Sequence, residues 1–260
     1  MIPTVFTFDK EPKLTLVGAG PGDPELITLK GISALKSADV VLFDALVSPE
    51  ILNLIPTGIP ALSVGKRAGH HSHTQDEINE LIVEMAYLYG HVVRLKGGDS
   101  FVFGRGSEEL EFAQRHGIAT AVVPGISSAI AVPASLNIPV TARGISESFW
   151  VITGTTKSGK LSADIALAAQ STATVVILMG LNKLSEIMEV FTANGKGEIP
   201  AAIIQNGTME SQKQVFGTVA TIANRATVEN IGGPAIIVVG EVVKLAHELE
   251  NIVKVSSNYQ

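Results

Sequence analysis

The sequence predicts an α/β protein made of two tandem α/β domains. Strand-like apolar runs alternate with helix-like segments along the 260 residues, a pattern typical of sheets with substantial parallel pairing and helices packed on their faces. The alternation weakens between Pro124 and Pro139, where small residues and prolines dominate. We therefore expect an N-terminal domain over residues 12–124 and a C-terminal domain over 125–250. A cleft between two such domains is a preferred place for a small-molecule site.

In the first domain, each predicted strand is a short β-prone run bounded by glycine, proline or polar residues. These strands are Leu14–Val17, Val40–Phe43, Leu62–Val64, the run that begins at Val92, and Ala119–Val123. Capping residues mark the helix starts. They are Asp23 before Pro24, Thr28, and the capping box of Thr74 with Glu77.

The second domain repeats the alternation. Its predicted strands are Phe149–Thr153, Thr174–Met179, Ala201–Gln205 and Ala235–Val239. Its predicted helices are Ala163–Gln170, Leu184–Asn194 and Val219–Arg225, the last capped by Thr218.

Composition excludes several functional classes. The chain is 46% hydrophobic with a formal net charge of -6, which argues against generic nucleic-acid binding. It contains no cysteine, so disulfides, thiolate zinc sites and cysteine nucleophiles are excluded. Its apolar runs are too short for a membrane span, and residues 1–12 carry no targeting signal. We expect a soluble cytoplasmic protein without nucleic-acid or membrane partners.

The most informative stretch is residues 92–109, where an apolar strand stops at Gly97–Asp99. Ligands of α/β sheets usually bind at the carboxyl ends of strands. The two glycines would let a ligand approach the backbone, Asp99 offers an acceptor, and Arg105 offers a fork of donors for carboxylates. Ser107 is expected to start the next helix. The alternative interpretation is a structural turn with an exposed charge pair.

Two further polar residues follow predicted strands. Asp44 comes directly after one and Lys66 closely after another, as Asp99 does after a third. Singly each is weak evidence, but together they predict a shared site on one rim of one sheet.

Two glycine-rich loops resemble nucleotide-binding motifs without completing them. In Gly18–Asp23 the third glycine of a dinucleotide fingerprint is replaced by aspartate, and Pro21 removes a backbone donor. Gly154–Lys160 is nearer to a P-loop, but Leu161 stands where Ser or Thr is required. We interpret the second loop as a flexible polar loop and keep a nucleotide-binding module as an alternative.

Three histidines lie close together at His70, His71 and His73. Such a cluster can hold a metal, but no carboxylate shares the loop before Asp76. A solvated or substrate-facing polar loop is the favoured interpretation, and no metal is expected.

Four motifs together resemble the tetrapyrrole methylases. They lie at residues 17–24, 42–47, 64–67 and 95–106, within a resemblance that covers about residues 14–245. The loop at Gly65–Arg67 with its trailing histidines and the turn at Phe103–Gly106 favour the branch that acts on uroporphyrinogen III. The resemblance implies a two-domain α/β fold, usually a homodimer, that binds S-adenosylmethionine in the interdomain cleft. It also implies two successive C-methylations that give precorrin-2 for sirohaem or cobalamin biosynthesis.

The resemblance assigns roles to individual residues. Asp44 and Lys66 align with the proton acceptor and donor, and Arg105 joins them as a catalytic candidate. The implied cofactor-binding residues are Pro21, Gly97, Gly98, Asp99, Val102, Ser127, Ser128, Met179, Gly207 and Ala235. The implied substrate-binding residues are Arg67, Arg105, Glu108 and Arg143.

The chemistry of the implied substrate fits these residues. A macrocycle with eight carboxylates needs cationic anchors, and arginine binds carboxylates bidentately. Methyl transfer depends mainly on alignment of the two reactants. A carboxylate such as Asp44 can then accept the proton that is lost.

The sequence departs from the family at Ala142, where a histidine is common, and at Ser107, where a glycine is common. Both changes concern substrate recognition more than cofactor use. A methylase of a later corrin intermediate and a catalytically silent binding protein remain alternatives.

Overall fold

In the computed structural model of the protein, residues 10–65 and 73–246 are described. The chain divides into two compact units, Met1–Ser127 and Ser128–Gln260. Gly125 packs with the first unit, so this division lies three residues beyond the expected boundary at 124. The limits 12–124 and 125–250 stay a prediction.

The first unit alternates strands and helices. Its strands are β1 (Lys13–Gly18), β2 (Val40–Phe43), β3 (Ala61–Ser63), β4 (His91–Lys96) and β5 (Ala119–Val123). Its helices are α1 (Leu29–Lys36), α2 (Pro49–Leu52), α3 (Gln75–Tyr89) and α4 (Gly106–Arg115), with a short 3-10 turn at Pro24–Leu26.

The five strands form one sheet in the order β3-β2-β4-β1-β5, and all four pairings are parallel. Because alternate residues of a strand point to opposite faces, β4 sends Val93 and Leu95 to a core shared with α1 and α2. Its neighbour Val92 faces the opposite core, shared with α3 and α4. A parallel sheet covered on both faces in this way confirms the predicted α/β class for this unit.

The second unit also contains five strands. They are β6 (Phe149–Thr153), β7 (Thr174–Leu178), β8 (Pro200–Gln205), β9 (Lys213–Thr218) and β10 (Ala235–Val239). Its helices are α5 (Ser128–Ser135), α6 (Asp164–Gln170), α7 (Leu184–Ala193) and α8 (Val219–Val228), with a 3-10 turn at Leu181–Lys183.

The second sheet has the order β6-β7-β10-β8-β9 and differs from expectation in its pairing. Only β6 and β7 pair in parallel. The other three pairs, β7 with β10, β10 with β8 and β8 with β9, are antiparallel. Strand β9 was not predicted, because its one deeply buried side chain, Val215, stands among polar residues. Such an edge strand lacks the continuous apolar run of a central strand.

Local helix signals are mostly confirmed. Thr74 and Glu77 form the predicted capping box of α3, and the Thr28 side chain accepts a hydrogen bond from Gly31 at the start of α1. The start predicted at Ser107 is wrong. Helix α4 begins at Gly106, because Arg105 adopts a left-handed conformation with φ of 59° that turns the chain one residue earlier.

None of the helices within residues 10–65 and 73–246 is long and apolar enough to cross a membrane.

Three loops at the carboxyl end of the first sheet pack backbone against backbone. A Cβ on Gly125 would lie 2.3 Å from the carbonyl oxygen of Gly98 and 2.6 Å from the carbonyl carbon of Gly18. A Cβ on Gly18 would lie 2.5 Å from the Gly125 nitrogen. Backbone atoms cannot move aside as a flexible side chain can, so glycine is required here for packing.

We predict that Gly125→Ala lowers the free energy of unfolding by roughly 1–3 kcal/mol, the usual cost of forcing an extra methyl group into a packed site. Chemical denaturation monitored by circular dichroism measures this. The matched control is Gly197→Ala, because a Cβ there meets only ordinary contacts at 3.9 Å. Equal stability of the two variants would show that the loops do not pack as described.

Candidate active site

The topology of the first sheet places a candidate ligand-binding edge between β2 and β4. The chain leaves β2 toward β3 and leaves β4 in the opposite direction, toward β5 beyond β1. In open α/β sheets, a crevice forms at the carboxyl ends where neighbouring strands diverge in this way. Asp44 directly follows β2 and Gly97–Asp99 directly follow β4, so the structure brings these predicted residues together at that edge.

The Asp44 carboxylate pairs with a buried cation. Its backbone N–H donates to the Leu95 carbonyl at 3.2 Å, and its Oδ1 accepts a hydrogen bond from Nη2 of Arg94. Arg94 is only 1% exposed, whereas the Asp44 side chain is 28% exposed. One carboxylate oxygen of Asp44 is therefore fixed by the protein, while the side chain stays partly accessible to a ligand.

A second carboxylate lies on the inner side of this pair. Glu109 of α4 is 1% exposed, and its Oε1 lies 3.3 Å from Nε of Arg94 and 2.9 Å from Nζ of Lys96. The Lys96 ammonium also lies 3.7 Å from Oδ2 of Asp44. We call Asp44, Arg94, Lys96 and Glu109 the buried charge cluster.

Arg94, Lys96 and Glu109 were not predicted as site residues. A signal was available, because a central strand of a parallel sheet normally reads as a continuous apolar run. In β4, two cations interrupt that run at alternate positions, 94 and 96. Both therefore point to the same face, which is the face toward α3 and α4.

The loops around Asp44 are tied to one another by backbone hydrogen bonds. Gly98 donates to the Gly20 carbonyl at 2.7 Å and Gly20 donates back to Gly98 at 3.1 Å, which places Pro21 beside the loop after β4. Asp99 accepts from the Phe101 N–H at 2.9 Å through Oδ1 and from the Gly125 N–H at 3.0 Å through Oδ2. Asp99 thus connects the loops after β4 and β5.

Gly97 was predicted to leave room for a ligand, and the structure gives a different reason for a glycine at this position. A Cβ on Gly97 would lie 2.9 Å from the Cβ of Leu46 in the loop after β2. The missing side chain lets two loops of the protein approach each other.

Arg105 and Glu108 lie at the start of α4 and pair with each other. Nε of Arg105 donates to Oε1 of Glu108 at 2.9 Å, and Nη2 donates to Oε2 at 2.5 Å. Both side chains are about half exposed. The hydrogen bond to Glu108 raises the pKa of Arg105, so the guanidinium stays charged. Val102 lies in the preceding turn, where its N–H donates to the Asp99 carbonyl at 3.2 Å.

The second unit gathers its own candidates at one edge of its sheet. Because β10 runs antiparallel to β7 and β8, Ile236 pairs with Leu178 and Ala235 pairs with Gln205. The start of β10 therefore lies beside the ends of β7 and β8, which are followed by Met179 and Gly207. A Cβ on Gly207 would lie 2.3 Å from a methyl group of Val132, so this edge also contacts the helix that begins at Ser128.

Strained backbone is concentrated in these loops. Positive φ at non-glycine residues is uncommon and tends to cluster at functional sites. Such angles occur after β4, β7 and β8, at Phe103 (54°), Arg105 (59°), Met179 (54°), Asn206 (48°) and Thr208 (67°).

Some predicted residues are not brought to these edges. Arg143 lies in a turn closed by the N–H of Ala142 and the carbonyl of Ser146. The Ser146 hydroxyl binds Thr174 at the amino end of β7, the end of that strand opposite to Met179. Ser127, by contrast, comes two residues after Gly125, which packs against Gly18 and Gly98 at the first edge.

Lys66 and Arg67, predicted as proton donor and substrate anchor, lie outside the described residues, as do His70 and His71. Within residues 10–65 and 73–246, no three His, Asp or Glu side chains gather as a metal site.

The loop at Gly154–Lys160 does not form a phosphate cradle. Two of its N–H groups are used within the protein, since Gly154 donates to Leu178 and Thr156 donates to Lys160. The loop closes on itself through a bridge between Thr155 and Leu161. A nucleotide-binding module therefore has no support in the geometry of this loop.

The chain is similar to known proteins over most of its length. Residues 13–223 match the family model of the tetrapyrrole (corrin/porphyrin) methylases. The chain is 48% identical over 235 residues to a uroporphyrinogen-III C-methyltransferase of Methanocaldococcus jannaschii, an alignment that covers 90% of this chain and 97% of that protein. It is 46% identical over 238 residues to a siroheme synthase of Tolumonas auensis, covering 91% of this chain and 50% of that one.

A solved structure has the same fold. It is the uroporphyrin-III C-methyl transferase of Thermus thermophilus complexed with S-adenyl homocysteine, with a TM-score of 0.78 and 35% identity, covering 90% of this chain and 99% of that one. The family match spans most of the chain, and the first relative aligns over nearly its whole length. The chain therefore belongs to the tetrapyrrole (corrin/porphyrin) methylases.

Proposed function

We propose that this protein is an S-adenosylmethionine-dependent C-methyltransferase that methylates uroporphyrinogen III twice to give precorrin-2. The similarity over nearly the full length of a relative named for this activity carries the proposal. The half-length alignment with a siroheme synthase supports a place in sirohaem biosynthesis, and cobalamin biosynthesis uses the same product.

The residues of the chain fit this cofactor. The glycines after β4 are partly exposed, so a ligand can approach the backbone there. Asp99 uses both oxygens in backbone hydrogen bonds, but each carboxylate oxygen has a second lone pair that can accept a ribose hydroxyl. Val102 and Met179 are partly or largely exposed apolar side chains that suit an adenine or a thioether.

We further propose that Pro21, Gly97–Asp99 and Val102 in the first unit bind the cofactor. The corresponding proposal in the second unit concerns Ser128, Met179, Gly207 and Ala235, with Ser127 preceding them. Pro21, Gly97–Asp99 and Val102 lie in loops that follow strands of the first sheet, and Met179, Gly207 and Ala235 lie at one edge of the second sheet, which supports the assignment.

Asp44 is the proposed proton acceptor. When bound, S-adenosylmethionine supplies an electrophilic methyl group. A carbon of the macrocycle would form the new C–C bond as the sulfonium–methyl bond breaks and S-adenosylhomocysteine leaves, and the macrocycle must then lose a proton to restore its conjugation. The carboxylate of Asp44 is partly exposed and paired with Arg94, which supports this role, since a positioned carboxylate can act as a general base.

The polyacidic substrate needs cations at the site, since the chain as a whole carries a net charge of -6. Among the described cations that are exposed enough to bind a carboxylate, Arg105 lies nearest in sequence to the glycine loop. Glu108 orients its guanidinium. We propose Arg105 and Glu108 as substrate-binding residues. The family resemblance alone supports Arg143 and Arg67 as further substrate-binding residues and Lys66 as the proton donor.

We also propose a cytoplasmic homodimer, following the family resemblance. Light scattering on the purified chain is expected to give about twice its mass of 27.2 kDa. A monomer at working concentrations would rule this out.

Incubation of the purified protein with methyl-labelled S-adenosylmethionine and uroporphyrinogen III, without air, tests the activity. We expect a product that carries two labelled methyl groups. Failure to form it, together with turnover of a later precorrin, would assign the chain to another step of tetrapyrrole methylation. Failure with every tetrapyrrole would favour a silent binding protein.

Two substitutions separate the cofactor site from the substrate site. Asp99→Ala removes the acceptor of two backbone N–H groups, and we expect cofactor affinity measured by calorimetry to fall at least about tenfold, because hydrogen bonds to charged groups are worth about 1.5–3 kcal/mol. Arg105→Ala is expected to raise the KM for the tetrapyrrole by a similar factor while cofactor affinity stays unchanged.

The matched control is Arg115→Ala, which removes an exposed arginine paired with Glu111 on the same helix. It should change neither constant. Normal binding of both ligands by both test variants would place the site elsewhere.

A further inference from the structure

Strand β4 carries two buried cations where apolar side chains would be expected. Arg94 is 1% and Lys96 is 4% exposed, and both point toward the face that α3 and α4 cover. Their neighbours on that face are apolar, including Val92, Ile82 and Ala113. Removing two cations from water is unfavourable, and well-packed hydrophobic residues of similar volume often stabilise a core as well or better. Stability alone is therefore a weak explanation for this cluster.

The two carboxylates of the cluster differ in their exposure and lie on different sides of the cations. Glu109 has a single oxygen, Oε1, in contact with both cations, and that oxygen also accepts a hydrogen bond from Gln75 at 3.3 Å. Its other oxygen, Oε2, is buried and has no hydrogen-bond partner among the residues that the structure describes. Asp44 closes the opposite side of the cluster and is its one partly exposed member.

The charges of the cluster balance. Arg94 and Lys96 contribute two positive charges, and Asp44 and Glu109 contribute two negative charges. Without Glu109, two cations would face the Asp44 carboxylate alone, and a nearby positive charge favours the ionised form of a carboxylate. A carboxylate held too strongly in that form is a poor proton acceptor, since efficient general bases are tuned close to the operating pH.

We propose that Glu109 and Lys96 are positioning residues that set the proton affinity of Asp44 through the buried charge cluster. The proposal rests on the proposed function, in which Asp44 accepts a proton from the methylated macrocycle. In that step the O–H bond of Asp44 forms as the C–H bond breaks, and the electron pair of the C–H bond restores the conjugation of the ring. Arg94 holds the direction of the carboxylate, while Glu109 offsets one of the two cations.

Other charged groups also act on the cluster. Arg105 interacts electrostatically with Glu109 and with Asp76 of α3. Arg105 and Asp76 are more exposed than Glu109, so solvent screens their influence on the cluster more strongly. Among the described residues, the two cations of β4 are the ones that contact both carboxylates.

Substitutions of opposite sign test the proposal. Glu109→Gln removes a negative charge, so the acidic limb of the kcat–pH profile should move to lower pH by roughly one unit. Lys96→Gln removes a positive charge and should move that limb to higher pH by a similar amount. The double variant keeps the balance and should return the limb close to the wild-type position. Glu111→Gln, an exposed change on the same helix, should not move it.

Loss of packing cannot produce shifts of opposite sign. If one single variant does not fold, the direction of the pH shift in the other single variant, and the loss of that shift in the double variant, still test the proposal. Shifts in the same direction, or none beyond that of Glu111→Gln, would overturn the proposal.

A second measurement does not depend on activity. Carbon-13 NMR of protein labelled at the aspartate carboxyls, with Asp44→Asn to assign the signal, follows the titration of Asp44 directly. Its midpoint should move in the same opposite directions in the two single variants. Inactive wild-type protein with these NMR shifts would refute the proposed function alone, whereas active protein with unmoved midpoints would refute the role of the cluster alone.

Discussion

The arrangement of the first unit depends on the guanidinium of Arg94. It is almost fully buried, and it donates to Asp44, to Glu109 at 3.3 Å and to the carbonyls of Leu42 and Leu95 at 3.4 and 3.3 Å. An arginine placed in a core must satisfy its donors, because each unpaired one would cost free energy. Satisfying them here fixes the ends of β2 and β4 relative to each other and sets the direction of the Asp44 carboxylate.

The two units present their loops in different ways. In the first unit, all strands are parallel, so the ligand-binding edge consists of carboxyl ends and the loops that follow them. In the second unit, β10 is antiparallel to both neighbours, so the start of one strand joins the ends of two others at Met179, Gly207 and Ala235. Both edges use glycine where protein atoms approach closely and left-handed backbone where the chain turns sharply.

The fold class followed directly from the sequence because strand runs such as Val40–Phe43 and Ala235–Val239 are wholly apolar and bounded by turn residues. Strand β9 escaped prediction because edge pairing needs little burial. The helix start at Gly106 was misplaced since the left-handed turn at Arg105 leaves no mark in residue type, as arginine rarely adopts it.

The candidate site could be predicted in part. Asp44 and Asp99 were found because polar residues at strand ends are visible in the sequence. The charged residues around Asp44 were not predicted, because Glu109 is distant in sequence from Asp44 and only the fold brings the two carboxylates to the same cations. Gly97 was identified as special for a reason that the structure revises, since its missing Cβ accommodates Leu46. Each of these differences reflects tertiary contacts rather than local propensity.

The central claim is that Asp44, held by Arg94, faces the reacting macrocycle. A crystal structure of the ternary complex with S-adenosylhomocysteine and the tetrapyrrole tests it most directly. The account predicts an Asp44 oxygen within about 3.2 Å of the macrocycle atom that carries the departing proton, or one water away from it, with the Arg94 hydrogen bond intact. A macrocycle bound with Asp44 turned away from it, or with Asp44 released from Arg94, would contradict the account.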